Sequence, residues 1–442
     1  MTPSSTPSSG CPFSAGQPAK PVSVSEFLAQ FPRVDSYAEI DEVLRSPDFI
    51  QGSHFESKPV FGGSLVVTDG PEHRQRRRTL MAMFSHQALQ RNERELLAPA
   101  ITHAFEALKN SRGADGLVRL DLVGLLRGLT IQISASVTGV DGVDGVDGVG
   151  GVQDPERRAR LQALVARLEA ASGVEWSTRN KEEVMQEGIT ARRELIRDFL
   201  QPALDRRITL VRSHKAGVLQ KADLPADLLA VLAEQGEDGK GGEDDPIWRE
   251  CALFLVAGTQ TTSHAIPHVL WHLDQWWAQH PEQRERATDT EFLRATANES
   301  LRLHQPVPAL LRMAVKDVAL KSSGRSFKTG ERIALHFSSA NREAQSFGDN
   351  VEAFDPLRPF SRKPPPWGLT FGSGAHTCIG RALVTGLSRR YDDADPTYGT
   401  IVGVLRALYQ AGATLDPADP PRRNTDSFHD AFARMPIVLR NL

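Results

Sequence analysis

Cysteine is scarce in this sequence, and its placement excludes two kinds of stabilised domain. The 442 residues contain only Cys11, Cys251 and Cys378, which lie far apart and form no C-x-x-C pair. An odd number of widely separated thiols provides neither a disulfide framework nor a cysteine zinc site. We therefore expect a protein of a reducing compartment, specifically the cytoplasm.

The sequence also lacks a strong net charge and any long apolar run. The formal net charge is −3, so the overall charge does not predict nucleic-acid binding, although arginines cluster within residues 74–78. No segment offers the roughly 18 to 20 uninterrupted apolar residues of a membrane span. Residues 1–22 are rich in serine, proline and glycine and lack the apolar core of a signal peptide, which predicts a disordered lead.

Apolar periodicity predicts a mainly α protein with a small β region. Spacings of three and four residues recur in stretches between residues 23 and 207, and a long apolar segment follows at 248–278. Short alternating runs within 309–339 are typical of strands. The predicted helices and strands do not alternate as βαβ units, and the sequence has no G-x-G-x-x-G nucleotide motif. We expect one domain over residues 23–442.

One low-complexity stretch interrupts the helical pattern. Residues 139–152 read GVDGVDGVDGVGGV and contain too much glycine for a helix interior. The aspartates suggest a calcium-binding repeat, but that repeat has a nine-residue period, which this stretch does not match. We expect an expanded surface loop between two helices, because long insertions are tolerated there.

The segment FGSGAHTC, residues 371–378, places one of the scarce thiols behind two glycines and a histidine. A thiolate is a strong axial ligand of haem iron if it is shielded and kept ionised. Gly372 and Gly374 allow a tight turn close to a flat cofactor, and residues 379–387 indicate a helix start whose backbone N–H groups point at the sulfur of Cys378. An inert buried cysteine, the ordinary interpretation of a lone thiol, leaves the companion residues unexplained.

The pattern F-G-x-G-x-H-x-C-x-G resembles the haem-binding signature of cytochrome P450. Six fixed positions coincide by chance at on the order of 10⁻⁸ per window. The resemblance implies a triangular, mostly α prism with a small β region, and haem b with Cys378 as the axial thiolate ligand. One departure is expected after the thiol, where YDDADP at 391–396 ends the helix early, before another at 398–412. The six matching positions are Phe371, Gly372, Gly374, His376, Cys378 and Gly380.

Two further motifs match this family in the expected order. Glu299 and Arg302 form an E-x-x-R pair on one helix face, and Arg358 lies in FDPLRPF ahead of the thiol. The resemblance implies that these three side chains form a buried network on the proximal side of the haem. It also assigns the haem propionates to four residues, His73 and Arg77 in an H-x-x-x-R pair, Arg312, and His376.

The apolar segment at 248–278 resembles the helix that crosses the distal face of the haem. Gly258 would leave room for a diatomic ligand, and Thr261 would hydrogen-bond oxygen and water. The family usually has a carboxylate where this chain has Gln260, and an amide can orient water but cannot titrate. Proton delivery would therefore run through Thr261, solvent, or a carboxylate from elsewhere. The family's A-G-x-[D/E]-T-T motif corresponds here to Ala257, Gly258, Thr259, Gln260, Thr261 and Thr262.

Three histidines of the same segment, His264, His268 and His272, follow at spacings of four. On one helix face they could bind a metal. The segment has no H-E-x-x-H motif, however, and Pro267 bends a helix at this point. A packed polar helix face is the preferred interpretation, and a metal site is the alternative.

The resemblance implies a soluble, monomeric monooxygenase that inserts one oxygen atom from O2 into a small to medium hydrophobic substrate. Electrons would come from a separate ferredoxin or flavodoxin chain, because no flavin or iron–sulfur domain is fused. Two alternatives remain, a peroxide-dependent or non-oxygenating haem-thiolate enzyme and a haem-binding sensor without turnover. The pocket is expected to be apolar and to draw on residues 51–67, Leu253, Val256, Ala257, residues 307–310 and residues 427–432.

Overall fold

Several segments for which the sequence makes predictions lie outside the described part of the chain. The lead at 1–22 and residues 142–152 of the low-complexity stretch both lie outside it. Gly139, which opens that stretch, has a left-handed backbone (φ 98°) and ends the preceding helix, as glycine commonly does. The computed structural model describes residues 27–141, 154–359, 363–387, 397–424 and 429–442.

Helices dominate the described chain, which confirms the prediction of a mainly α fold. Two π-helical turns, Glu93–Leu97 and Ile196–Leu200, join α4 to α5 and α8 to α9. The α-helices are α1 Tyr37–Arg45, α2 Lys58–Phe61, α3 Gly70–Leu80, α4 His86–Asn92, α5 Ala98–Leu108, α6 Leu122–Thr138, α7 Pro155–Ser172, α8 Lys181–Leu195, α9 Gln201–Lys215, α10 Leu228–Glu234, α11 Pro246–Gln279, α12 Thr290–Leu303, α13 Phe337–Ala340, α14 Ala344–Phe347, α15 Arg381–Thr385 and α16 Gly399–Gln410.

The β region is small, as predicted, and lies mostly late in the chain. A four-stranded sheet has the order β1-β7-β4-β2, with β4 antiparallel to both neighbours, and a three-stranded sheet has the order β3-β11-β8. The strands are β1 Arg33–Val34, β2 Phe49–Gln51, β3 Val118–Asp121, β4 Ala309–Ala314, β5 Val318–Ala319, β6 Ser326–Phe327, β7 Arg332–His336, β8 Thr414–Leu415, β9 Arg422–Arg423, β10 Phe432–Arg434 and β11 Pro436–Leu439.

Helix α11 is the longest element, with 34 residues. Asp245 caps its start by accepting a hydrogen bond from the backbone N–H of Ile247, and Pro246 occupies the first turn, where proline is tolerated. Pro267 lies inside the helix without ending it. The helix packs along α6 and also against α7 and α12. In the described residues, no helix combines the length and apolar character needed to cross a membrane.

The helix after Cys378 ends early, as the sequence predicts. Helix α15 stops at Thr385, and Gly386 and Gly399 then pack so closely that a Cβ on either would lie within 2.4 Å of backbone atoms. Helix α16 starts at Gly399, and the carboxylate of Glu93 accepts hydrogen bonds from the backbone N–H groups of Tyr398 and Gly399, at 2.8 and 3.0 Å. Residues 388–396, which include YDDADP, lie outside the described residues.

Candidate functional site

Two glycines shape the turn that carries Cys378. Gly372 and Gly374 have φ values of 66° and 68°, which other residues rarely adopt. A Cβ on Gly374 would lie 2.4 Å from the carbonyl oxygen of Leu44, whereas one on Gly372 would come no closer than 3.7 Å to its neighbours. The turn closes where the backbone N–H of Cys378 donates to the carbonyl of Phe371 at 2.8 Å. Glycine is therefore needed most at Gly374, where the turn presses on the end of α1.

The thiol of Cys378 is accessible, yet enough protein surrounds it for desolvation to act. Desolvation raises the pKa of this thiol, while the backbone N–H groups of Gly380 and Arg381 and the positive charges of Arg77 and Arg381 oppose that shift. Helix α15 has only five residues, so its dipole adds little beyond these N–H groups. The neighbouring groups favour a thiolate, and a bound metal cation would complete the ionisation.

A chain of hydrogen bonds connects Arg312 with His376. Arg312 Nη1 donates to Gln51 Oε1 at 2.6 Å, and Gln51 Nε2 lies 3.1 Å from His376 Nδ1. His376 Nε2 lies 3.0 Å from Asp69 Oδ1, and the His376 ring stacks on His73 with centroids 4.0 Å apart. Gln51 and Arg312 face each other because β2 and β4 pair in that register. The structure brings three of the four predicted propionate residues together and adds Gln51 and Asp69.

Two buried polar groups near this chain of bonds have no acidic partner in contact. Arg312 is 3% exposed, and its described hydrogen bonds go to neutral oxygens of Gln51 and Leu311. Burial lowers the pKa of Arg312 to about 10 and, as the largest cause, lowers the pKa of His73 to about 4. Nε2 of His73 is buried without a hydrogen-bond partner among the described residues. Carboxylates such as haem propionates would satisfy both groups, so the residues fit this cofactor.

Glu299, Arg302 and Arg358 meet as a buried ion network. Arg302 donates to both carboxylate oxygens of Glu299 at 2.7 and 2.8 Å, and Arg358 Nε donates to Glu299 Oε1 at 3.0 Å. The three side chains are buried. Arg358 also donates to four backbone carbonyls within residues 347–353. Through Arg358, the network therefore links residues 347–358, which precede the cysteine loop, to helix α12.

Helix α11 carries the residues predicted for the oxygen side. Thr261 Oγ1 donates to the carbonyl oxygen of Ala257 at 2.8 Å, the back-bonding that helical hydroxyls commonly make. Ala257 and Gly258 are exposed although most of the helix is buried. A Cβ on Gly258 would lie 2.4 Å from Oγ of Ser134 on α6. The glycine therefore has a packing role between α6 and α11, and its predicted role in admitting a diatomic ligand stays a prediction.

The side chain of Gln260 occupies a partly exposed position on the same helix. Its backbone carbonyl accepts a hydrogen bond from the hydroxyl of Ser263 at 3.0 Å. Within the described ranges, no carboxylate hydrogen-bonds to the side chain of Gln260 or Thr261. Among the described residues, therefore, no carboxylate contacts this position in place of the acid that the family usually has there.

Some of the residues predicted to line an apolar pocket are buried in the core, and others are accessible to solvent. Within residues 51–67, Val60, Phe61 and Leu65 are buried in the main core, and Val256 of α11 joins them. Residues 427 and 428 lie outside the described residues. Predicted pocket positions that are exposed or partly exposed include Leu253, Ala257, Val307, Pro308 and Leu310.

The three histidines of α11 form different hydrogen bonds and ring contacts. The His264 ring lies 5.2 Å from that of His429, and His272 Nδ1 lies 2.9 Å from Ser300 Oγ. The rings of His268 and His272 are 6.3 Å apart. Among the described residues, the three do not converge as a metal site: only His268 belongs to a cluster of potential metal ligands, while His264 lies beside His429 and His272 hydrogen-bonds to Ser300.

Only some of the arginines clustered on α3 point into solvent, and others contact the protein interior. Arg76 Nη1 lies 3.2 Å from Oε2 of Glu250, which is 1% exposed in α11. Arg77 lies close enough to the thiol to affect its pKa. Arg74 and Arg78 are exposed. The inward contact of Arg76 was missed from the sequence because Glu250 lies far along the chain and belongs to no recognised motif.

The buried carboxyl of Glu169 on α7 should make stability depend on pH. Arg127 donates to its Oε2 at 2.7 Å, but burial outweighs this contact and raises the pKa of Glu169 to about 7. Below about pH 4.5 this carboxyl is protonated in both the folded and the unfolded protein and has no cost. As the pH rises from 4.5 through 7, the unfolded chain loses the proton more readily than the folded protein, so the free energy of unfolding falls. Glu169→Gln should equal the wild type at pH 4 and exceed it at pH 8 by on the order of 3 kcal/mol.

Urea unfolding of wild type and Glu169→Gln at both pH values measures this difference. Glu182→Gln, at an exposed position of α8, is the matched control and should change stability by less than about 1 kcal/mol at either pH. A constant difference between Glu169→Gln and wild type across this pH range would contradict the proposed protonation of Glu169.

The fold and the cysteine loop together define a recognisable class. The chain is similar to the structure of CYP109E1 from Bacillus megaterium in complex with testosterone, with a TM-score of 0.65, 20% identity and 94% of each chain covered. It is also similar to P450BioI in complex with an acyl carrier protein ligated to hexadec-9Z-enoic acid, with a TM-score of 0.65, 19% identity and 92% of each chain covered. The fold is therefore that of the cytochromes P450.

The chain belongs to the cytochrome P450 family. The family model described as Cytochrome P450 matches residues 34–385, and the match ends with the last residue of α15. Membership of this family implies haem bound through a cysteine thiolate. The match includes all the predicted site residues, from His73 to Gly380.

Curated relatives match over a shorter stretch. A steroid C26-monooxygenase of Mycolicibacterium smegmatis is 32% identical over 168 residues, which cover 37% of this chain and 38% of the relative. A methyl-branched lipid omega-hydroxylase of Mycobacterium tuberculosis is 34% identical over 159 residues, covering 36% of this chain and 35% of the relative. The chain thus spans about two fifths of the length of the curated relatives it matches.

Proposed function

We propose that this protein is a haem-thiolate monooxygenase that binds haem b through Cys378. The observation that supports this most is a glycine-shaped cysteine loop near two buried groups without an acidic partner, Arg312 and Nε2 of His73. The thiol suits haem iron, and those two groups suit propionate carboxylates. In this proposal the propionates are held by His73, Arg77, Arg312 and His376.

The remaining residues of the proximal side keep the thiol in position. Gly372 and Gly374 make the turn, and the backbone N–H groups of Gly380 and Arg381 stabilise negative charge on the sulfur. The ring of Phe371 is partly buried against the main core beside Trp367, and its carbonyl closes the turn. The Glu299 network then holds the segment before the loop. These contacts would hold the thiolate ligand rigidly in place.

On the distal side, α11 would position dioxygen, water and substrate. When bound, haem b supplies the redox chemistry, in which one oxygen atom of O2 enters a substrate C–H bond and the other leaves as water, with two electrons and two protons consumed. The Thr261 hydroxyl is held by the Ala257 carbonyl, and its oxygen can still accept a hydrogen bond and orient water. Gln260 would order water by its amide, so the protons would come from solvent.

The proposed substrate is a small to medium hydrophobic organic molecule. The accessible positions Leu253, Ala257 and Leu310 are apolar. The relatives support the same class, since their names refer to a steroid and to methyl-branched lipids. Among compounds of this class, steroids and branched lipids are the first to test.

Electrons are proposed to come from a separate acidic ferredoxin or flavodoxin. Arg74 and Arg78 are exposed on α3, the helix whose other side chains, His73 and Arg77, point toward the proposed haem site. Charge of this sign steers an acidic partner to a transient encounter. A single domain over residues 23–442, a monomeric state and a cytoplasmic location stay predictions.

An isotope experiment tests this function. The purified chain is supplied with a ferredoxin, its reductase, a reduced nicotinamide cofactor and a panel of steroids and branched fatty acids under ¹⁸O2. We expect one ¹⁸O atom in the hydroxylated product. Steady consumption of reductant without product from any substrate class, or label from water instead of O2, would contradict the proposal.

Gln260 supports a second candidate, a peroxide-dependent haem-thiolate enzyme. Peroxide brings both oxygen atoms already reduced and protonated, so the acid that this chain lacks would matter less. Turnover with peroxide but not with the reductase chain would favour this second function. Ligand binding with no turnover under either condition would instead support a sensor.

Replacing Gln260 by glutamate should restore a proton donor on α11. Because a positioned acid speeds proton transfer by about 10²- to 10⁴-fold, we expect Gln260→Glu to raise the fraction of electrons recovered as product by several fold. Gln275→Glu, at an exposed position of the same helix, is the matched control. Unchanged coupling and an unchanged solvent isotope effect in Gln260→Glu would show that this position has no part in proton delivery.

A further inference from the structure

Three potential metal ligands from separate elements meet beside α11. His268 belongs to α11, His304 follows the end of α12, and Asp430 precedes β10. One ligand atom from each lies within 4.8 Å of the other two. His304 Nδ1 lies 2.5 Å from Asp430 Oδ2, and His268 Nε2 lies 3.8 Å from Asp430 Oδ1. Sequence analysis named His268 as a potential metal ligand but missed His304 and Asp430, which lie far from it in the chain.

The donor set matches open transition-metal sites. Two imidazoles and one carboxylate bind zinc in tetrahedral sites whose fourth ligand is water. In such a site the ligand atoms lie about 2.0 to 2.2 Å from the metal and therefore about 3.3 to 3.6 Å from each other. To reach this spacing His304 Nδ1 and Asp430 Oδ2 must separate by about 1 Å and His268 must come slightly closer, and the partly exposed His304 and the exposed Asp430 can move in this way by side-chain rotation.

The surroundings both orient the ligands and allow a metal to enter. The His268 ring is buried, stacks on His304 with centroids 4.5 Å apart, and places Nε2 2.8 Å from the backbone carbonyl of Asp430. The stacking on His304 orients the ring, and zinc bound at Nε2 would replace the hydrogen that this nitrogen shares with the carbonyl. A surface cleft of about 520 Å³ is bordered by His304 and Asp430. Solvent therefore has direct access to two of the three ligands.

One cation already contacts the cluster. Nη1 of Arg423 lies 2.9 Å from Asp430 Oδ1 and 3.4 Å from both ring nitrogens of His268. The guanidinium also lies over the ring of Phe432 at 4.1 Å. The Arg423 side chain is 37% exposed, so it can swing into solvent when another cation arrives. The groups of the cluster thus already surround one positively charged group.

We propose that His268, His304 and Asp430 form a binding site for a divalent transition metal, with zinc as the best fit, and that Arg423 occupies the cation position when metal is absent. Bound metal joins α11, the segment after α12 and the chain before β10. The site is separate from Cys378 and does not depend on the proposed oxygenase function.

Equilibrium dialysis of the full-length purified chain against Zn²⁺, with bound zinc counted by elemental mass spectrometry, tests the site. His304→Gln and Asp430→Asn alter partly exposed groups and should still fold, which circular dichroism verifies. We expect each to weaken zinc binding by at least about tenfold, because even outer contacts of metal ligands are worth about 10- to 100-fold. His103→Ala, at an exposed histidine of α5, should bind zinc like the wild type.

Arg423→Gln provides an independent test. Removing the competing guanidinium should strengthen zinc binding, and zinc should raise the melting temperature of the wild type and of Arg423→Gln but not that of Asp430→Asn. Equal zinc affinity in wild type, His304→Gln and Asp430→Asn would overturn the site. Weaker zinc binding by Arg423→Gln would overturn the competition between arginine and metal.

Discussion

Glu299→Gln should lower the free energy of unfolding by about 3 to 5 kcal/mol, the usual cost of breaking a buried ion pair on one side. Glu299 accepts hydrogen bonds from Arg302, from Arg358 and, at 3.2 Å, from the backbone N–H of Asp355. Glutamine keeps the shape but removes the charge, which leaves two buried guanidinium groups without a counter-ion. Because Arg358 holds the segment ahead of the cysteine loop, haem content should also fall.

Chemical denaturation and the haem-to-protein ratio measure the two effects. Glu291→Gln is the matched control, since Glu291 is exposed in the first turn of the same helix and should contribute at most about 1 kcal/mol through the helix dipole. A Glu299→Gln protein with wild-type stability and full haem content would show that the network does not support the site.

Gly374→Ala should be far more damaging than Gly372→Ala. Both residues have positive φ, so alanine costs about 1 to 2 kcal/mol at either position. At Gly374 the new Cβ would also lie 2.4 Å from the carbonyl oxygen of Leu44. Backbone atoms cannot yield there without moving the cysteine turn or the end of α1. We expect an additional loss of about 2 kcal/mol or more, with loss of haem, only in Gly374→Ala.

The two alanine variants control for each other, because backbone strain is common to both and the clash is confined to one. Unfolding free energies and haem content of the pair therefore isolate the contact with Leu44. Equal losses in the two variants would mean that conformational strain alone, and not the close approach of α1, accounts for glycine at Gly374.

Sequence reasoning succeeded where the signal is local or carried by a motif. The helical period gave the mainly α fold, and the run at 309–339 gave the late strands. The E-x-x-R pair and Arg358 were expected together and do form one buried network. The early end of the helix after Cys378 was expected from the polar residues at 391–396, although the helix already ends before them, at Thr385. Each of these depends on neighbours in sequence or on a family pattern.

Contacts between distant segments were missed. Gln51 was expected in a substrate pocket, but strand pairing places it between Arg312 and His376. Asp69 precedes a helix, where it would ordinarily act as a cap, and instead accepts from the backbone N–H of Gln51 and lies beside His376. Such positions are set by sheet register and helix packing, which a single sequence does not encode in any short pattern.

The histidines of α11 show the same limit. Spacing alone suggested a face of three potential ligands, but His264 lies beside His429, and His272 hydrogen-bonds to Ser300 although its ring also lies 4.9 Å from that of His304. The cluster around His268 depends instead on His304 and Asp430 from two other parts of the chain. A helical period identifies residues on one face, and only the fold determines what that face meets.

The carbon monoxide spectrum of the reduced protein tests the central claim most directly. If Cys378 is the axial ligand, the wild type should show the red-shifted band of a haem thiolate, and Cys378→Ser should bind carbon monoxide without that band. Cys251→Ser, at a buried cysteine, is the control and should keep it. Haem-loaded wild type that lacks the band, or Cys378→Ser that retains it, would contradict the account.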